Sequence, residues 1–319
     1  MSLAPYVATL GRGPGRSRSL TRDEAAAAME IMLSGEVAPE AVGALLMLLR
    51  MKGETADEIA GFAGAAQGAC AEMPAADLDW PSYAAGRTRG LPWFLLSARL
   101  VAMARHRVVL HGWNGRDEAV RAHLEAAGIG SASTVVAAEQ ALVRHGIVYL
   151  PLEDIHPGLH HLLALRHTLG LRSCINTVAR MLNPARAAAS VQGVFHPSYR
   201  LLQADAAQRL GWQALSVIKG GGGEFERHPG KSVAGFGLRV GTAWEAAFPA
   251  LNGEARRLAE TAPDVDLGAL WSGAANDPFA LDIVIGTAAL ALETLGTEAP
   301  LETARALWHT RPPWQETAA

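Results

Sequence analysis

The chain has 319 residues, of which 50% are hydrophobic and 18% charged. That composition supports a large buried core, sets about two domains as the starting expectation and excludes a disordered polymer. A formal net charge of -3 excludes a polycation, so a nucleic-acid surface has to be a local basic patch.

Cys70 and Cys174 stand far apart, which gives neither a disulfide framework nor a zinc pattern and suits a reducing cytoplasm. The opening MSLAPYVATLGRG lacks the apolar run and cleavage site of a secretion signal, and later apolar stretches are broken by charge. A cytoplasmic protein without a membrane segment is expected. Met1 to Leu3 are set aside as a leader with no part in the fold.

Arg12, Arg16, Arg18 and Arg22 alternate with Gly11, Gly13, Pro14 and Gly15, the pattern of a flexible arm that lays guanidinium forks on phosphates, or of a solvated terminus. Thr21 and Glu24 then make a T-x-x-E capping box ahead of an alanine-rich helix ended by Gly35. Pro39 suits the first turn of a second helix with Val42, Leu45, Leu46 and Leu49 on one face until Gly53, and Thr55 with Glu58 opens a third. These capped helices make a helical domain, 1–75, whose apolar faces need one another or a partner chain.

After Trp80 come apolar runs separated by helical stretches: RVVLH at 107 to 111, GIVYLP at 146 to 151 and ALSVIK at 214 to 219. That alternation predicts an α/β domain, 76–319, with a central sheet flanked by helices. Leu159, Leu162, Leu163, Leu165 and Leu169 restore helical periodicity, and a helical stretch from about 157 to 185 is expected to join the first domain. Asp277 to Leu307 reads as two helices broken at Thr297 to Pro300.

Arg87 and Arg89 lie in PSYAAGRTRGLPWFLL before a helix expected near Pro92, where backbone amides and two cations attract anions. The competing reading is a surface loop with Trp93 and Phe94 in the core. His111, Gly112, Trp113 and Asn114 follow RVVL at the carboxyl end of a strand, the edge where open α/β sheets bind ligands. His111 and Asn114 are therefore candidate pocket residues, although a histidine there is commonly structural. His156, His160 and His161 do not match H-E-x-x-H and read as the polar start of a helix rather than a metal site.

If the chain is helical from Arg172 onward, Asn176 and Arg180 share its face at i+4 and i+8, and with Arg166 they present charge to an anion. Gly220 to Gly223 let amides approach a phosphate, and Glu224 could hold a divalent ion. No G-K-[ST] follows, so this is not a Walker A loop. No catalytic residue is assigned.

Residues 20–67 and the block RSCINTVARMLNPARAAASVQGVFHP resemble the anthranilate phosphoribosyltransferase family, glycosyl transferase family 3, whose members show R-T-x-F-N, then L-x-N-P and G-V-x-x-P. With the strand and glycines at 214 to 224, the resemblance covers most of residues 10–230. It implies the nucleoside phosphorylase/phosphoribosyltransferase fold: a small N-terminal helical domain, a larger α/β domain, a hinge, and a homodimer formed through the helical domain. The family's G-T-G-G-D-G loop is AAGRTRG here, N-x-S-T is missing, K-H-G-N-R keeps only His111 and Gly112, and the metal-binding Asp-Glu pair is reduced to Glu224. These losses argue against ordinary phosphoribosyl transfer, which depends on positioning and neutralising pyrophosphate.

Gly11-Arg12-Gly13, Pro81-Ser82-Tyr83 ahead of Arg87 and Arg89, Val108-Val109-Leu110-His111-Gly112, and Gly223-Glu224 with His228-Pro229 more closely resemble a divergent branch, the YbiB-like DNA-binding paralogues. That resemblance implies a homodimer binding DNA, or RNA, with little sequence preference. The leading expectation is a groove in which Arg12, Arg16, Arg18, Arg87, Arg89, Arg166, Arg172 and Arg180 hold phosphates. The alternative is an active transferase that uses phosphoribosyl pyrophosphate and Mg with an altered acceptor, His111, Gly112, Asn114 and Asn176 forming its pocket and Glu224 its metal site. A third class is a catalytically inactive regulatory subunit.

Overall fold

The computed structural model describes residues 1–83, 90–113, 120–258, 260 and 264–313. It opens with a helix that the sequence reading did not mark, α1 (Ala4–Gly11). Leu3 is fully buried and Leu10 nearly so, which corrects the treatment of residues 1–3 as a leader. The arginine-rich stretch after α1 is turned rather than free: Arg16 and Ser17 donate to the Gly13 carbonyl, and Arg18 donates to that of Thr9.

Both capping boxes form, Thr21–Glu24 at α2 (Arg22–Leu33) and Thr55–Glu58 at α4 (Ala56–Gly68), with α3 (Pro39–Lys52) between them. Glu58 does more than cap. Its carboxylate is fully buried and accepts from the Leu20 amide at 2.9 Å, the Thr55 amide at 2.8 Å and Lys52 Nζ at 2.8 Å. A buried carboxylate is tolerable only when so many donors surround it, and these tie the N-terminal segment, the end of α3 and the start of α4 together. The apolar faces of these helices meet within the chain in one core cluster.

The α/β part has one seven-stranded sheet in the order β3-β2-β1-β4-β5-β6-β7. Its strands are β1 (Leu78–Ser82), β2 (Val108–Gly112), β3 (Ile147–Pro151), β4 (Ala189–Val194), β5 (Ala214–Lys219), β6 (Val233–Arg239) and β7 (Thr242–Phe248). The first five in that order are parallel, β6 pairs antiparallel with β5, and β7 pairs antiparallel with β6. The three apolar runs are β2, β3 and β5, while β1 and β4 went unmarked because Asp79, Pro81, Ser82, Gln192 and Gly193 interrupt their apolar pattern.

Alternate strand residues enter two cores. Val109, Val148, Leu215 and Val217 face the cluster shared with the N-terminal helices. Val108, Leu110, Ile147 and Ile218 face a second cluster with α5 (Phe94–Met103). Three helices that follow the last strand, α12 (Leu267–Ser272), α13 (Pro278–Thr294) and α14 (Pro300–His309), complete that second layer; α13 and α14 are the two helices expected in the tail. Between β2 and β4 run α6 (Val135–His145), α7 (Leu152–Ile155), α8 (Pro157–Ala164), α9 (Arg166–Leu169) and α10 (Ile175–Arg180), and α11 (Ser198–Arg209) precedes β5. The leucine-periodic stretch is thus three short helices, and α8 and α10 pack on α2 and α4 respectively. Among the described residues no helix is long and apolar enough to cross a membrane.

His156 shows how one of the clustered histidines is used. Its Nδ1 accepts from the Leu159 amide at 3.2 Å, capping α8, and its Nε2 lies 3.1 Å from the Ala66 carbonyl. Both contacts require the neutral ring with hydrogen on Nε2, and burial holds the pKa below the ordinary 6.5. Because the unfolded chain then binds the proton more tightly, stability is complete above the unfolded pKa and falls as the pH drops below about 6.5. Denaturant melts across that range should show a shallower decline for His156→Asn; His160 and His228, also depressed by burial, leave a residual slope.

Candidate functional site

The chain leaves β1 toward β2 and β3, then returns to β4 on the opposite side of β1, so a topological switch point lies between β1 and β4. Crevices at the carboxyl ends of such strands bind ligands. The β1–β4 ladder contains only Leu78↔Ala189 and Asp79↔Ser190, and beyond it the ends of the two strands take other partners.

Ser82 Oγ donates to Glu224 Oε1 at 3.0 Å. Glu224 reaches it because the chain after β5 crosses directly over Gly193 of β4: a Cβ there would lie 2.0 Å from the Glu224 carbonyl carbon and 2.4 Å from the Phe225 nitrogen. One residue after Ser82, the Tyr83 hydroxyl lies 2.8 Å from His111 Nδ1. His111 Nε2 approaches Asp79 Oδ1 to 3.0 Å, an ion-pair distance whose alignment falls short of a hydrogen bond. Asp79 Oδ2 accepts from Ser190 Oγ at 2.7 Å. Asp79, Ser82, His111 and Ser190 are fully buried and Tyr83 nearly so. Burial drives the Tyr83 pKa well above its ordinary value, so its hydroxyl remains neutral. His111 is therefore enclosed as a packing and hydrogen-bonding centre, and Gly112 sits tightly against the Ser82 carbonyl.

Arg180 closes the arrangement from the helical side. It donates to the Asn176 carbonyl at 2.9 Å and to the Tyr83 carbonyl at 3.1 Å. Burial lowers its pKa, and the charge of Glu224 opposes that shift. Beside it lies a cavity of about 320 Å³ that brings together Arg172, Asn176 and Arg180 with three residues the sequence reading missed, Arg50, Phe195 and Gln203. The helix α10 begins only at Ile175, so Arg172 joins them from the preceding turn rather than from a shared helical face. Arg50 donates to the Arg172 carbonyl at 2.6 Å and fixes that turn against α3.

The other candidates are dispersed. Arg12 and Arg16 are exposed near the end of α1. Arg18 makes a two-pronged ion pair with Glu24 at 2.6 and 2.7 Å, so its fork is already engaged. Arg166 lies 4.7 Å from the Trp113 ring centre, outside the cavity. Trp93, weighed between core and surface, is core. Arg87, Arg89 and Asn114 lie outside the described residues.

The glycine run does not form an open phosphate cradle at all of its amides. Those of Gly220, Gly223 and Glu224 donate to Val194, Gly220 and Gly221 carbonyls. Glu224 accepts from Ser82, and Glu226, also fully buried, accepts from the Phe94 amide at 3.1 Å at the start of α5. Among the described residues no group of three or more His, Cys, Asp or Glu side chains converges on a metal position. Each of these carboxylates gives one oxygen to a protein donor, and among the described residues they do not assemble a magnesium–pyrophosphate shell, so no step is derived through one.

Gly193→Ala should cost about 1–3 kcal/mol, because the new methyl meets backbone that cannot yield as a side chain would. Gly130→Ala, where nothing lies within 4 Å, is the control. Thermal melts showing the two variants equally stable would contradict the crossing over Gly193.

The domain model described as "Glycosyl transferase family, helical bundle domain" matches residues 4–70, and "Glycosyl transferase family, a/b domain" matches residues 96–248. The chain is 30% identical to the anthranilate phosphoribosyltransferase of Geobacillus kaustophilus over 207 residues, 64% of this chain and 61% of that protein. It is 30% identical to that of Bacillus caldotenax, with 86% of the relative covered. The match thus spans less than two thirds of the first of these relatives. The anthranilate phosphoribosyltransferase structure from Thermus thermophilus aligns over 97% of this chain and 94% of its own at 25% identity, with a TM-score of 0.77. The Saccharomyces cerevisiae enzyme in complex with PRPP and Mg shares the fold, with a TM-score of 0.75 at 17% identity over 97% of this chain and 93% of its own. Helical bundle, α/β domain and a relative covered over most of its length agree, and the chain belongs to the anthranilate phosphoribosyltransferase family of glycosyl transferases.

Proposed function

We propose that the protein binds nucleic-acid phosphates in the arginine-lined crevice and uses its phosphoribosyltransferase fold as a binding platform. One observation carries this reading. Arg50, Arg172 and Arg180 line a single cavity, together with His196, and among the described residues that line it none is a carboxylate. A polyanion is thus attracted locally although the chain is net acidic. Lys52 at the end of α3 is paired with Glu58, and its 3.1 Å contact to Ser19 Oγ holds the stretch that follows Arg12 and Arg16 beside α3 without adding a free cation. In this reading Arg12, Arg16, Arg87, Arg89 and Arg166 extend the track. A homodimer joined through the helical domain doubles it in a reducing cytoplasm.

A second reading is a glycosyl or phosphoribosyl transferase with an altered acceptor, with Mg at Glu224. The cavity beside Asn176 and the family membership favour it. The enclosed His111 and the engaged Glu224 count against it. Magnesium-dependent binding of phosphoribosyl pyrophosphate in a calorimeter would establish this reading.

The nucleic-acid reading predicts a linear fall of log affinity with log salt. Three phosphates neutralised at the cavity alone give a slope of about -2 to -3, at roughly 0.7–0.9 per phosphate, and the extended track makes it steeper. Arg50→Glu with Arg172→Glu, both exposed positions, should lower affinity by more than about tenfold across unrelated sequences. Salt-independent binding, or wild-type affinity in the double variant, would contradict it.

A further inference from the structure

We infer that the cavity beside Arg180 receives an unpaired nucleobase, so that the crevice selects single-stranded nucleic acid over duplex; this rests on the nucleic-acid reading above. A site for phosphate alone needs only surface cations. Here the cations stand over a hole of about 320 Å³, near the lower end of the range for small-molecule pockets, about 300–1,000 Å³. Arg50 and Arg172 are exposed, whereas Arg180 is partly buried. This gradation leaves phosphates at the rim and a neutral, flat group inside.

The surface at the mouth specifies that group. Phe195 and Leu171 both line the cavity while remaining 56% and 46% exposed, so apolar surface is held in water at its mouth. An exposed aromatic ring among arginines is the usual platform on which a base stacks, without preference for sequence. Gln203 of α11 also lines the cavity, but its amide oxygen is sealed from solvent, so it forms part of the wall rather than a contact for the base edge. The Phe195 ring accepts any base on its face, but only one that is free of a helical stack. A duplex reaches the same state only by unstacking and unpairing a nucleotide, which costs a few kcal/mol.

Fluorescence anisotropy with three probes of equal length at one salt concentration tests this: a mixed-sequence single strand, its duplex, and an abasic strand that keeps sugar and phosphate but lacks bases. The single strand should bind about tenfold more tightly than either of the others, the effect of one well-stacked base. Phe195→Ala, at an exposed position, should remove about tenfold from single-strand affinity and close the gap to the abasic probe. Equal binding of single and abasic strands by the wild type, tightest binding of the duplex, or an undiminished gap in Phe195→Ala overturns the base pocket while the phosphate-binding crevice stands. Failure of all three probes to bind at low salt overturns both.

Discussion

The crevice depends on the guanidinium of Arg180. Its two terminal nitrogens bond the Asn176 carbonyl within α10 and the Tyr83 carbonyl just past β1, so one side chain joins the helical layer to the sheet's carboxyl edge. Burial disfavours a charged guanidinium and lowers its pKa, and the nearby Glu224 charge opposes part of that penalty. The Tyr83 ring is in turn fastened to His111, which stands against Asp79, and Asp79 is held by Ser190 of β4. This chain of buried polar contacts spans the switch point of the sheet. The hydrogen bonds at Tyr83–His111 and Ser190–Asp79 offset the burial of these groups, and the 3.0 Å approach of His111 to Asp79 joins the two pairs by proximity rather than by a hydrogen bond.

The same economy explains how a transferase fold comes to present arginines rather than carboxylates. Glu58 is consumed in holding the N-terminal helices together, Glu224 in bonding Ser82, and Glu226 in capping the amide of Phe94. Acidic groups that would repel phosphate are turned inward to backbone and hydroxyl donors, while Arg50 and Arg172 remain at the surface. The local field of the cavity then differs in sign from the net charge of the chain, and approach of an anion depends on the local field.

Features set by local rules were legible in the sequence. The two T-x-x-E boxes, the apolar strands β2 and β5, and the helix break at Pro300 follow from capping, alternation and proline chemistry over a few residues. What escaped was written in long-range contacts. Strands β1 and β4 read poorly because their inward positions carry Asp79, Ser82, Ser190 and Gln192, polar residues that only the assembled network makes stable. Leu3 looked dispensable because its core partners lie elsewhere in the chain. Arg50 resembled any exposed residue of an amphipathic helix, and Phe195 and Gln203 gave no signal until α11 and the end of β4 were placed beside α10. The resemblance to a known family supplied the fold, whereas the grouping of Arg172, Asn176 and Arg180 about one cavity required three dimensions.

Photo-crosslinking would test the central claim most directly. A single-stranded oligonucleotide carrying thiothymidine would be irradiated with the wild-type protein and the adducts located by peptide mass spectrometry. The account predicts adducts concentrated on the peptides that carry Arg172 and Phe195, and suppressed by unlabelled single strand. Adducts confined to segments remote from the cavity, such as β7 or α14, would contradict it.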